Sequence, residues 1–192
     1  KGYTMKHLFK LLMASALLFS LAEAKEFVID NTHSNIGFSI KHMMISNVKG
    51  NFNTYSADID YDAEKKVFNK LAAKIEAASI DTGITKRDDH LRSADFFDVE
   101  KFKTIDFVMT SMKDGKIHGK ITIHGVTKDI VLESKVHGVI KDFQGHQRVG
   151  FTLEGKLNRK DFGLTWNKIL EGGGLTVDDT VNLSIEVEAI EL

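Results

Sequence analysis

Alternation of apolar and polar residues with a period of two, sustained over most of the chain, is the feature that most limits its fold. Ile36, Phe38 and Ile40 alternate with Gly37, Ser39 and Lys41, and Leu71, Ala73, Ile75 and Ala77 run between Lys70, Lys74 and Glu76. Ile105, Phe107 and Met109 continue the pattern, followed by Ile117, Ile121 and Ile123, then Val149, Phe151 and Leu153, and finally Val181, Leu183, Ile185 and Val187. Successive side chains of a strand point to opposite faces, so each run describes a strand with one buried face. Between two runs lies Asp114-Gly115, a pair suited to a two-residue hairpin because both positions accept positive φ. The segment Thr82 to Lys103 breaks the alternation. Its Thr85-Lys86-Arg87-Asp88 predicts a short helix capped by Thr85, with an acid three residues on. Eight or nine strands joined by antiparallel connections, with one helical insertion, predict an all-β sandwich or closed barrel.

Ahead of the strands, Lys6, His7 and Lys10 precede an apolar run from Leu11 to Leu21 and then Ala22-Glu23-Ala24. This reads as an export signal starting at Met5, with Lys1 to Thr4 upstream of it, so residues 1–24 are set apart from a single domain over 25–192. The apolar run is shorter than the roughly 20 residues that cross a bilayer as a helix. The chain has no cysteine and no proline. An exported chain without thiols forms no disulfide and offers no cysteine to a lipid anchor. With a net charge of -1 and no basic stripe, nothing favours nucleic acid.

An outer-membrane barrel would also alternate, but it carries aromatic girdles at the lipid interfaces. After residue 24 the chain has Tyr55, Tyr61 and Trp166, while Phe38, Phe107 and Phe151 sit in the middle of their runs. The expectation is therefore a barrel with apolar residues facing inward and no stable membrane insertion. Such an interior is either filled by side chains or open to a ligand, and periodicity does not choose between them.

Few motifs carry chemistry. The histidines after residue 24, His33, His42, His90, His118, His124, His137 and His146, show no four-residue helical pairing, so no metal and no cofactor are expected. Asp161-Phe162-Gly163 and Gly172-Gly173-Gly174 lack the phosphate loop and lysine that would make them nucleotide motifs, and read as a turn and a loop. The densest cluster is Arg87-Asp88-Asp89-His90-Leu91-Arg92-Ser93-Ala94-Asp95-Phe96-Phe97-Asp98. There Asp88, Asp89 or Asp95 could orient His90 as a base while Arg87 or Arg92 binds an anion. The same residue types make ordinary surface ion pairs, and no nucleophile elbow accompanies them. No catalytic residue is assigned, and the chain is read as a non-enzyme.

Several segments, in order and spacing, resemble one family. They are Ile29-Asp30 with His33-Ser34, Lys41-His42-Met43, and Val48-Lys49-Gly50-Asn51-Phe52. Ala78-Ser79-Ile80-Asp81-Thr82 follows, running into the charged cluster, and then come Ile121-Thr122-Ile123-His124-Gly125-Val126-Thr127-Lys128 and Asn158-Arg159-Lys160-Asp161-Phe162-Gly163-Leu164. Across essentially all of residues 25–192 the chain resembles the YceI-like lipid/polyisoprenoid-binding family. It departs from that pattern at Lys103 and Asp129, where the family often has proline. The resemblance implies an extended lipocalin-like antiparallel β-barrel of about eight strands with a short helical insertion. It further implies a periplasmic or secreted protein of a Gram-negative-type bacterium, often a homodimer, with an apolar cavity for an isoprenoid, fatty acid or fatty amide.

On that reading Ile36, Phe38, Ile40, Phe52, Phe107, Ile121, Ile123, Phe151 and Leu153 face the cavity from strands. Phe162, Leu164 and Trp166 join them near one end, and Leu91, Phe96 and Phe97 cover or line an end from the insertion. Arg87, His90 and Arg92 are the head-group candidates. The competing functions are an enzyme using His90 with its Asp and Arg neighbours on a lipid-like substrate, and a ligand-free stress-related structural protein.

Overall fold

The computed structural model describes residues 26–169 and 173–192. The export signal expected over 1–24 lies outside them, as does Gly172 of the glycine loop. The strands are β1 (Glu26–Ile29), β2 (Asn35–His42), β3 (Ser46–Phe52), β4 (Tyr55–Asp62), β5 (Val67–Glu76) and β6 (Ile80–Asp81). After helix α1 (Thr85–Arg92) come β7 (Thr104–Lys113), β8 (Lys116–Ile123), β9 (Val126–Lys141), β10 (Gln147–Asn158) and β11 (Val177–Glu191). All pairings are antiparallel, and β1 meets both β4 and β11, which closes a ring of β1, β4, β5, β7, β8, β9, β10 and β11. The closed eight-stranded barrel of the sequence reading is therefore present.

The extra strands come from bends. The chain turns at Asp30–Ser34, so β1 and β2 follow the two halves of β11: Val28 pairs with Ile190, whereas Phe38 pairs with Leu183. Likewise β3 pairs with β2 while β4 pairs with β1. In one half the ring closes on itself. In the other, the β2–β3–β6 wing diverges from it, and the α1 segment lies between.

Turn chemistry sets the register. Asp114 and Gly115 both have positive φ, 51° and 74°, and Lys113 pairs with Lys116 across them, as the hairpin pair predicts. His124-Gly125 repeats this geometry with φ of 51° and 74° between Ile123 and Val126, although histidine gave no turn signal. The cap of α1 differs from expectation. Ile84 occupies the cap position without a side-chain bond, and Thr85 is the first helical residue. Asp88, buried at 5% exposure, instead turns back and accepts from the Thr82 amide at 2.9 Å and from the Thr82 hydroxyl. The acid ties the helix to the preceding strand, so the local bond that a Thr85 cap would supply is not needed.

In the closed half, inward residues fill the barrel. Phe27, Val149, Phe151, Ile117 and Leu132 are almost fully buried, and the Phe68 ring lies 4.9 Å from Tyr61 and 4.8 Å from Phe151 between centroids. Outside this wall, where β1 bends into β2, Arg148 donates to Asp142 at 2.9 Å, to Asp30 at 2.9 Å and to Glu188 at 2.6 Å. No helix among the described residues is long and apolar enough to cross a membrane.

Candidate functional site

The diverging half encloses a cavity of about 540 Å³, within the range of roughly 300–1,000 Å³ usual for small-molecule sites. One wall is β2, with Ile36, Phe38 and Ile40, backed by Val48 and Phe52 of β3. A second is the first half of β11, with Val181, Leu183 and Ile185. Ile105, Ile121 and Ile123 contribute from the ends of β7 and β8, and Leu91, Phe96 and Phe97 close the side between the wing and the barrel. Leu164 and Trp166 complete the wall after the turn that follows β10.

Rings hold these walls apart. Phe52 lies 5.8 Å from Phe38 and 5.9 Å edge-on from Phe97, which links β2, β3 and the insertion. His90 stands edge-on to Phe96 at 5.1 Å and to Trp166 at 4.9 Å, with Phe96 and Trp166 5.2 Å apart. Two of these three contacts are edge-on, the arrangement that the aromatic quadrupole favours, and together they pack the insertion against the segment after β10.

Four of the strand and turn residues read from the sequence as cavity-facing sit elsewhere. Phe107, Phe151, Leu153 and Phe162 are buried in the packed core and do not line the cavity. Gly119 explains Phe107: a Cβ there would stand 2.5 Å from the Phe107 ring, so the ring lies flat over the neighbouring strand. Phe151 and Leu153 belong to the half of β10 that faces the filled barrel. Alternation identifies the inward face but not the position along the barrel axis.

The charged cluster divides. Arg87 and His90 line the cavity, whereas Arg92 does not. Arg92 donates to the Ala78 carbonyl and the Ile80 carbonyl, each at 2.8 Å, and to Asp89 at 3.1 Å, which staples α1 to the short turn between β5 and β6 and to β6 itself. Arg87 donates to the Thr82 hydroxyl and carbonyl, each at 2.7 Å. His90 Nε2 is 3.0 Å from Asp95, and both side chains are substantially exposed.

The charged residues lining the cavity are Lys41, Lys86, Arg87 and Arg159, and no carboxylate is among them. Arg159 was not singled out from the sequence. It is buried at 3% exposure, donates to the Asp178 and Leu164 carbonyls, and holds Nη2 3.6 Å from Asp179 with no hydrogen-bond partner for that nitrogen. Burial pushes its guanidinium pKa down, opposed by the neighbouring Asp179 and Asp178. Its sequence context reads as a surface turn. An irregularity in pairing between Val177 and Val181 brings Asp178 and Asp179 to it, and spacing gives no sign of that.

One cluster has metal-ligand chemistry. Donor atoms of Asp30, His33 and Glu188 lie within 4.8 Å of one another. The Arg148 guanidinium already bonds both carboxylates, so a cation would have to displace it.

A family model described as the YceI-like domain matches residues 27–189. The crystal structure of a Campylobacter jejuni YceI protein superposes with a TM-score of 0.72 at 44% identity, covering 85% of this chain and 96% of that one. A UPF0312 protein of Staphylococcus aureus is 35% identical over 163 residues, 84% of this chain and 95% of that protein. A polyisoprenoid binding domain from Saccharophagus degradans, implicated in plant cell wall breakdown, shares the fold at a TM-score of 0.66 and 14% identity, covering 88% of this chain and 99% of that one. With the family model spanning the whole ring of strands, the wing and the cavity between them, the chain belongs to the YceI-like domain family.

Proposed function

We propose that this protein is an exported carrier or store for an isoprenoid or fatty-acid-derived amphiphile, held with its chain in the cavity. The observation that carries the reading is an apolar cavity whose charged lining residues are all basic. Apolar chains leave water with about 0.8 kcal/mol per buried methylene, so roughly ten methylenes contribute on the order of 8 kcal/mol before association costs. Affinity of that kind needs few polar contacts. Arg87, His90 and Lys86 all line the cavity, which supports giving Arg87 the head-group role. Arg92 drops out of that set because it lies outside the cavity lining, with its guanidinium held by the Ala78 and Ile80 carbonyls and Asp89.

Export, to a periplasm or to the medium, and assembly as a homodimer belong to the same proposal. The domain also occurs in Staphylococcus aureus, a Gram-positive organism, so the fold itself does not require a periplasm. Solvent extraction of protein purified from its own host, followed by lipid analysis, should recover a bound chain. Repeated absence of one, with no uptake of added lipid, overturns the reading. Arg87→Ala should weaken an anionic amphiphile about tenfold and a neutral fatty amide far less. Equal effects on the two would remove the head-group role.

The contact between His90 and Asp95 favours an enzymatic second reading. Against it, both groups are exposed, and the surrounding lining offers no serine, cysteine or carboxylate for His90 to activate, while the Thr82 hydroxyl is already bonded to Asp88 and Arg87. Turnover of an acyl or isoprenoid substrate that disappears in His90→Ala, with folding intact, would establish it instead.

A further inference from the structure

The turn between β2 and β3 carries Met43, Met44 and Ile45, all exposed, Ile45 at 87%. Single exposed apolar residues are ordinary, but three in succession at the edge of a cavity are not. Met43 donates its amide to the Thr176 carbonyl at 2.8 Å, and both His42 and Thr176 line the cavity. Ile169, 82% exposed, bridges to Leu175 in the same neighbourhood. Ile84, 53% exposed, stands before α1 and lines the cavity as well. Exposed apolar tips therefore flank His42 and Thr176 of the lining, with Ile84 in the lining itself.

Two further observations narrow the partner. Met43 and Met44 have φ of 49° and 62°, a left-handed turn that asparagine or glycine would occupy with less strain. Turn chemistry does not account for methionine there. Lys41 and Lys86, beside these tips, make no ion pair among the described residues. The carboxylates near α1 are engaged elsewhere: Asp81 accepts from Gly83 and Asn53, Asp88 from Thr82, and Asp89 pairs with Arg92. Exposed apolar tips flanked by free lysines match an anionic lipid surface. A second copy placed on the same lip would bring the lysines against each other.

We infer that the Met43–Ile45 turn, Ile84 and Ile169 form a lip that docks the mouth of the cavity on an anionic bilayer. The ligand chain then passes between leaflet and cavity without crossing water. This rests on reading the cavity as a lipid site, but docking and loading are measured separately.

The test is flotation with phosphatidylcholine vesicles, with and without phosphatidylglycerol, at low and high salt. Wild type should float with the anionic vesicles at low salt and be released by high salt. Ile45→Asp and the double variant Lys41→Glu/Lys86→Glu should bind about tenfold or more weakly. Phe143→Asp, on the exposed β9–β10 turn at the other end, should float like wild type. Loading of Ile45→Asp from detergent-dispersed lipid, read by native mass spectrometry, should equal wild type, because Ile45 does not line the cavity. Failure of loading in wild type as well defeats the lipid-site reading, whereas flotation judges the lip. Wild type that ignores anionic vesicles, or Ile45→Asp that floats equally, overturns the inference. So does a dimer that Ile45→Asp splits in sedimentation, which would make the lip a subunit interface.

Discussion

The two halves of the barrel are built from the same alternating apolar pattern, yet one is solid and the other hollow. In the closed half, β1 and β4 complete the ring and Phe27, Tyr61, Phe68 and Phe151 meet across its axis. In the other half the bends after β1 and β3 swing β2 and β3 outward, and the α1 segment enters the gap with Phe96 and Phe97 as wall rather than filling. What separates a core from a binding cavity here is backbone path, not hydrophobicity. The closed half should therefore carry more of the stability and the open half the selectivity.

The largest expected effect tests the closed half. Phe151→Ala leaves a void where Phe68 and Phe151 meet and should destabilise by about 3–5 kcal/mol in urea unfolding. Phe38→Ala, at the cavity wall, should cost less than about 1.5 kcal/mol, because one side of that ring already faces open space. Equal losses would break the distinction between the halves.

Next in size is Arg159→Met, which removes two charge-assisted bonds to the Asp178 and Leu164 carbonyls and leaves Asp179 with Lys160 as its cationic partner. A loss of about 2–3 kcal/mol is expected. Its position beside the cavity should also make the loss smaller when an anionic ligand is absent from both proteins than when it is present. Thermal unfolding with and without added fatty acid checks both.

Leu183→Trp should fill part of the cavity with a stability change within about 1 kcal/mol, while abolishing lipid uptake. The comparable insertion in the closed half, Ala189→Phe, should cost about 1–3 kcal/mol or prevent folding, since Ala189 has no exposed surface.

The smallest effect is on pH dependence. Arg148 holds the Asp142 carboxyl down to about 2 from its usual 3.8, and the Asp30 carboxyl is also held well below that value, by Thr32, His33 and Arg148. Depressed carboxyls add stability that is present above the ordinary value and lost as pH falls through the folded one. The acid limb should therefore run from about pH 4 down to pH 2, and Arg148→Met should move it upward. The His33 pKa is raised by Asp30, so its contribution is present at low pH and lost as pH rises past 6.5, and it is small because the ring is largely exposed. Stability curves from pH 2 to 8 measure both limbs; an unmoved acid limb in Arg148→Met would show that the network adds nothing.

Much of this architecture is legible in the chain. The strand runs, the Asp114-Gly115 hairpin and the helical insertion follow from periodicity and turn chemistry. Alternation turns Ile36, Phe38, Ile40, Phe52, Ile121 and Ile123 inward, and all six line the cavity. Phe107, Phe151 and Leu153 face inward equally, but where a residue lies along the axis depends on strand stagger and on the bend at Asp30–Ser34, which are set by pairing between distant segments. Arg159 escaped notice for a related reason. Its burial depends on the irregular start of β11, about twenty residues later in the chain. Val181, Leu183 and Ile185 were legible as a strand face, and the pairing of β11 with β2 turns that face into a cavity wall.

The claim that the open half is a lipid site is tested most directly by native mass spectrometry of wild type and Leu183→Trp after incubation with a mixed lipid extract. The account predicts a single lipid adduct on each wild-type chain and none on the variant, with both proteins folded. A bare wild-type chain under every lipid offered, or an adduct retained in full by Leu183→Trp, would contradict it.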